Sequence, residues 1–173
     1  MALNLTEQVK EHIYNLQNEI KLTNRGKGTW SSPENFHISL AFLDEITRDQ
    51  ADILARILKT ITVNHKPFEL TLNRLGYFGD ESSATVWCSV NPDNNLKALV
   101  SDVYKAVRDA RIKFDSKPFK AHITLGRKIN IMNCKLSGIQ VETLKFPVNC
   151  IVLYKSVLTP TGPIYTPIYE IEL

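Results

Sequence analysis

The chain has 173 residues, 43% of them hydrophobic and 23% charged, with only 7 Gly and 8 Pro. That length suits one compact domain with a core needing no disulfide or metal staples, and the composition excludes disordered, collagenous and low-complexity classes. Lys and Arg together number 21 against 18 acids, a formal charge of +3, too mild for wrapping a nucleic-acid duplex yet compatible with a phosphate-bearing ligand.

Met1 to Lys10 lacks the apolar core of a signal peptide, and no apolar run approaches the ~20 residues of a bilayer span, so a cytoplasmic protein that leaves membranes alone is expected. From Thr6 to Lys21, apolar residues at Val9, Ile13, Leu16 and Ile20 predict a helix with one buried stripe. A strand is predicted over Asn35 to Leu43. Thr47 can cap a second helix while Gln50 reaches back, and Ile53, Leu54, Ile57, Leu58 and Ile61 carry its apolar face to about Asn64. The period then changes to two at Phe68, Leu70 and Leu72, and again at Ala84, Val86, Cys88 and Val90, which predicts strands. A third helix, from about Asn95 to Ala110, buries Leu96, Leu99, Val100, Val103 and Val107. Further strands are expected at Phe119 to Arg127, at Leu144 to Leu158 with a break near Pro147, and at Ile164 to Leu173. Turns are predicted at Gly76 to Ser83, Asn91 to Asn94 and Thr159 to Pro163. The expected class is α+β with much antiparallel sheet, residues 1–173 forming one domain. Cys88, Cys134 and Cys150 are odd in number and lack CxxC spacing, so reduced, mostly buried thiols are expected rather than a disulfide framework or a zinc site.

The chemically informative feature is an internal echo. Phe36-His37-Ile38-Ser39-Leu40 is answered by Ala121-His122-Ile123-Thr124-Leu125. In an extended strand residues two apart point to one side, so His37 with Ser39, and His122 with Thr124, project together while Ile38, Leu40, Ile123 and Leu125 enter the core. If two similar lobes face one another, two imidazoles and two hydroxyls meet across one cleft. His12 and His65 lack the pattern and are expected to be structural.

The stretches Trp30 to Leu43 and Lys117 to Arg127 resemble the two signatures of the two-histidine (2H) phosphoesterases, with the closest resemblance to the bacterial and archaeal RNA 2',3'-cyclic phosphodiesterases, also called 2'-5' RNA ligases. Leu153 to Leu158, followed by Gly162 to Tyr165, is similar to the closing hairpin of that branch. The resemblance implies a bilobal, pseudo-twofold α+β fold, with two antiparallel sheets facing across a central cleft and helices packed outside. It also implies an enzyme that needs no metal or other cofactor and acts, as a monomer, on RNA ends or nucleotides bearing a 2',3'-cyclic phosphate. Three departures stand out. The first strand, Met1 to Leu5, is abbreviated, Ala121 stands where proline usually precedes the second His, and Asp44 replaces the glycine usual after Phe42-Leu43.

Opening a cyclic phosphodiester needs a base for the attacking water and an acid for the departing ribose oxygen, and two imidazoles suit that task near neutral pH. His37 is expected as general acid and His122 as general base. Ser39 and Thr124 would donate hydrogen bonds to the phosphate oxygens. The resemblance puts Arg127 at the cleft against base or phosphate, although three residues past Thr124 it has the wrong strand parity. Phe42 fits either core filling or base stacking, and Tyr165, Trp30 and Lys120 could line the cleft. Trp87, between apolar neighbours, reads most simply as core, and Ser156 as a sheet residue. The alternatives are 2'-5' RNA ligation, cleavage of 2'-5' oligonucleotides, opening of a cyclic ADP-ribose phosphate, and an RNA-binding module without turnover.

Overall fold

The computed structural model describes residues 1–23 (the Thr23 side chain excepted), 28–115, 117–160 and 162–173. Three helices form where the apolar period is near 3.6. The first, α1 (Glu7–Thr23), buries Val9, Ile13, Leu16 and Ile20, and the Thr6 hydroxyl accepts from the Val9 amide at 3.4 Å. In α2 (Arg48–Thr62) both halves of the expected capping box are present: Gln50 N–H donates to the Thr47 hydroxyl and Thr47 N–H to the Gln50 side chain. Its buried face is Ala51, Leu54, Ala55, Leu58 and Thr62, which turns Ile53 outward at 45% exposure, contrary to the sequence expectation. The third helix, α3 (Asn94–Asp109), starts on Asp93, whose carboxylate accepts from Leu96 N–H at 2.8 Å, and it buries every apolar residue expected of it. No described helix is long and apolar enough to cross a membrane.

The strands are β1 (Ala2–Leu3), β2 (Thr29–Trp30), β3 (Ile38–Ser39), β4 (Phe68–Phe78), β5 (Ala84–Asn91), β6 (His122–Ile129), β7 (Lys145–Val148), β8 (Cys150–Thr159) and β9 (Gly162–Glu172). All their pairings are antiparallel. The spatial order β7-β4-β5-β6-β3-β1-β8-β9, with β2 also paired to β6, divides into two halves, β7 to β6 and β3 to β9. These halves are joined through β3 and β6, where Ile38 lies opposite Ile123. The two lobes expected from the sequence therefore share one continuous sheet. Behind it, α1 packs on β6, and α2 lies between α3 and β9. A single apolar cluster runs under both halves.

Three boundaries differ from the sequence reading. The strand expected over Asn35 to Leu43 keeps only two residues, because Leu40 and Ala41 N–H both donate to the Met1 carbonyl and Asn35 lies in a turn of 3-10 helix. Gly76, expected in a turn, lies inside β4 opposite Trp87, and the chain turns at Gly79, whose φ of +82° is one glycine adopts readily. Pro147 belongs to β7, an edge strand where a missing N–H costs no ladder bond, and the interruption falls instead at Asn149. In the predicted turn Thr159 to Pro163, Thr161 lies outside the described residues. Cys88 is buried, Cys134 and Cys150 are half-buried, and all three are free thiols.

Candidate active site

The seam between the halves carries the site. The Ile38–Ile123 pair fixes the register, and one step either way along antiparallel strands sets His37 across from Thr124 and Ser39 across from His122. Ile38 and Ile123 are fully buried, so alternation turns the four polar side chains onto the opposite face of the sheet. The two motifs thus form one local twofold arrangement, each hydroxyl beside its own histidine in sequence and beside the other across the ladder.

Both imidazoles are held in the same tautomer. His37 Nδ1–H donates to the Asn35 carbonyl at 2.8 Å, and His122 Nδ1–H donates to the Lys120 carbonyl at 2.6 Å. Each Nε2 is therefore the unprotonated nitrogen of the neutral ring. His37 Nε2 accepts from the Ser39 hydroxyl at 2.9 Å, whereas His122 Nε2 has no hydrogen bond to a described residue. Burial pushes the His37 pKa down to about 4, against the Asn35 hydrogen bond, and Arg127, His122 and the Met1 amino group when charged lower it further; burial brings that amino group itself down to about 5. Burial also lowers His122, with Arg127 and Lys120 adding to it and the Lys120 carbonyl opposing.

Aromatic walls differ on the two sides. Tyr165 stands edge-on to His37 with centroids 4.8 Å apart, and Tyr154 lies 5.9 Å away. Phe78 meets His122 edge-on at 5.1 Å, Trp87 lies at 6.2 Å, and Lys120 Nζ sits over the Phe78 ring at 5.2 Å. Trp87 is therefore a wall of the site and not core, as read from the sequence: it pairs with Thr124 on β6 while its neighbours Val86 and Cys88 face inward. The alternation Ala84, Val86, Cys88, Val90 already contained this, since a core face made of those residues leaves Trp87 on the other side. Its ring lies over Gly76, where an added Cβ would sit 2.3 to 2.7 Å from three ring carbons. Trp87 Nε1 is buried with no hydrogen-bond partner among the described residues.

Arg127 reaches the site through irregularity in β6. Thr124 pairs with Trp87 but Gly126 pairs with Val86, so the register shifts by one residue between them. Leu125 and Gly126 both stay buried, which reverses the parity at Arg127, and a second shift before Ile129 restores it. Arg127 consequently returns to the Thr124 face, exposed, and lines a cavity of 270 Å³ with His37, Ser39, Thr124, Trp30 and Tyr165. A second cavity, of 740 Å³, shares His37, Ser39 and Tyr165 with the first and extends along Phe42, Tyr154, Lys155 and Ser156. Phe42 is 52% exposed there, apart from Arg127, which rules out the core-filling reading. Ser156 lies opposite Tyr165 in the β8–β9 ladder. His65 pairs with Asp102 at 3.0 Å and His12 lies 4.0 Å from Glu142, both away from the seam.

Two residues that the sequence reading passed over hold the motifs in place. Gln17, 0% exposed on α1, donates through Nε2 to the Ser31 carbonyl at 2.7 Å and the Leu125 carbonyl at 2.8 Å, while its Oε1 accepts from Lys21 at 2.6 Å. Asn35 Nδ2 donates to the Pro163 carbonyl at 2.8 Å, tying the approach to β3 to the β8–β9 hairpin. Its periodic position marks Gln17 as inward-facing, but nothing in the sequence tells which backbone groups either amide meets.

Comparison with known proteins agrees with this geometry. Two stretches, residues 3–88 and 86–165, match the family model described as LigT-like phosphoesterase. An RNA 2',3'-cyclic phosphodiesterase of Thermotoga maritima is 32% identical, covering 99% of this chain and 93% of that protein. One from Archaeoglobus fulgidus is 30% identical, covering 99% and 98%. A crystal structure from Thermus thermophilus superposes with a TM-score of 0.80 at 25% identity over 99% of this chain and 95% of that one. Escherichia coli LigT, solved with 3'-AMP, shares the fold at a TM-score of 0.80 and 22% identity over the same shares of each chain. The paired histidine motifs, the sheet that joins them and these full-length matches together place the chain in the LigT-like phosphoesterase family.

Proposed function

We propose that this protein is an RNA 2',3'-cyclic phosphodiesterase that opens a terminal 2',3'-cyclic phosphate to a 2'-phosphate by acid–base catalysis between His37 and His122. The observation that carries this reading is the register of the two motifs, which gathers two imidazoles of fixed tautomer and two hydroxyls on one face of the sheet. The names of the full-length relatives agree with it. His122, whose Nε2 lone pair is engaged by no described residue, takes the proton of the attacking water. His37, protonated when anionic substrate arrives, delivers its proton to the departing 3' oxygen. On protonation its Nε2 ceases to accept from Ser39, which frees that hydroxyl, with Thr124, to donate to the non-bridging oxygens. Arg127 adds positive charge beside them, Tyr165 contacts the terminal nucleoside, and Phe42 meets the RNA substrate from the larger cavity. No step requires a metal, so turnover should persist in excess chelator. Both histidines come from one chain, consistent with a working monomer, and three free thiols suit the reducing cytoplasm.

Phosphorus NMR of the product from 2',3'-cyclic AMP tests the reading, with 2'-AMP expected. His37→Ala and His122→Ala should each lower turnover by roughly 10² to 10⁴-fold, and the double variant should be little worse because the pair acts as a unit. A folded single variant with near wild-type turnover refutes the mechanism, and a predominantly 3'-phosphate product reverses the acid and base.

A further inference from the structure

The 270 Å³ cavity at Arg127 falls just short of the ~300 to 1,000 Å³ usual for small-molecule sites, so the phosphate and ribose largely fill it. The 740 Å³ cavity on the other side of His37 is not required by a cyclic mononucleotide, yet it opens on the same His37, Ser39 and Tyr165. Its lining combines two features of single-strand nucleic-acid sites, aromatic faces and a cation. Phe42 offers a half-exposed ring, an unusual position for a phenylalanine, and Tyr154 belongs to the same lining. Lys155 is exposed and has no ion pair with a described residue, whereas the arginine of the lining, Arg48, is engaged by Asp52 at 3.5 Å. Asp44 and Glu45 are exposed members of the same lining, so the attraction for phosphate is local to the Lys155 side.

We infer that the larger cavity is a subsite for the nucleotide preceding the cyclic-phosphate end of an RNA chain, its base stacked on Phe42 and its phosphodiester against Lys155. The inference rests on the phosphodiesterase reading above and specifies its substrate as an oligonucleotide end. A dinucleotide fills both cavities at once. A mononucleotide leaves the larger one to water.

The test compares kcat/KM for adenosine 2',3'-cyclic phosphate with that for the dinucleotide ApA ending in a 2',3'-cyclic phosphate. Stacking of one additional base should favour the dinucleotide by about 10- to 100-fold. Lys155→Ala should remove about five- to tenfold of that advantage, with the mononucleotide as reference. The advantage should also weaken with salt at a logarithmic slope of about 0.7, as for one phosphate contact on a single strand. Equal kcat/KM for the two substrates overturns the subsite, as does a Lys155→Ala loss of the same factor on both. Faster cleavage of linear 2',5'-linked ApA than of either cyclic substrate also overturns it, because the cavity would then hold a leaving nucleoside across the phosphorus. Should neither cyclic substrate turn over, the phosphodiesterase reading fails, and the subsite is read by binding. The 2'-phosphorylated dinucleotide must then bind more tightly than 2'-AMP to the wild type, with Lys155→Ala narrowing the difference.

Discussion

Filling the cleft with a phosphodiester should pull a proton onto His37. In the free protein burial holds this imidazole at a pKa of about 4, so at pH 6 it is almost wholly neutral. A single phosphate charge about 4 Å from the ring, at an effective dielectric constant of roughly 20, contributes about 4 kcal/mol, which raises the His37 pKa by about three. A value near 4 in the free protein thereby becomes about 7 in the complex, and at pH 6 each bound diester should carry about 0.9 proton in with it. The direction is fixed because the anion favours the charged imidazole. The measurement is titration calorimetry of His122→Ala with 2',3'-cyclic AMP at pH 6, in buffers of different ionisation enthalpy. That variant blocks turnover and removes the second titrating ring, and the diester itself does not titrate near pH 6. Heat that depends on buffer with a slope near 0.9 proton is the expected result, and His37→Ala/His122→Ala should abolish it. Binding with no proton uptake by the single variant would refute His37 as the group that meets the phosphate.

Two further outcomes concern the residues behind the site. Gln17→Leu leaves the Ser31 carbonyl without its amide donor, while the Leu125 carbonyl keeps the Ser31 N–H, so at roughly 1 to 3 kcal/mol per unsatisfied buried group the unfolding free energy in urea should fall by about 1 to 3 kcal/mol; an unchanged midpoint would show that Gln17 only fills space. Gly76→Ala puts a methyl within 2.7 Å of the Trp87 ring and must move it, which should lower turnover by about 10- to 100-fold by disturbing His122. Trp87→Phe in the same chain should restore part of that loss, and wild-type turnover by Gly76→Ala alone would separate the Trp87 wall from catalysis.

What the sequence made readable was whatever depends on period. Alternation put His37, Ser39, His122 and Thr124 on one side of their strands, the helical period located all three helices, and Thr47 with Gln50 marked the start of α2. What escaped was set by contacts distant in the chain. Arg127 had the wrong parity until a bulge in β6 corrected it, and a bulge leaves no mark on the alternation that a reader could count. The strand around His37 was overestimated because its continuation is taken over by the Met1 carbonyl, a partner nearly forty residues away. Phe42 was undecided because the chain leaves the ladder after Ser39, and past that point parity no longer says which way a side chain faces. Trp87 was the one avoidable miss, since its apolar neighbours were already assigned to the opposite face.

The local twofold at the seam has a stereochemical consequence. A phosphorus seated between His37 and His122 meets the same pair of groups, imidazole and hydroxyl, from either direction, so this quartet alone is blind to which ribose oxygen leaves. Handedness has to be imposed by the unlike surroundings: tyrosines and two cavities beside His37, a phenylalanine, a tryptophan and a lysine beside His122. On the proposed mechanism, regiochemistry is thus written in residues that exchange no proton, and it can be redrawn by changing the walls while His37, Ser39, His122 and Thr124 stay as they are.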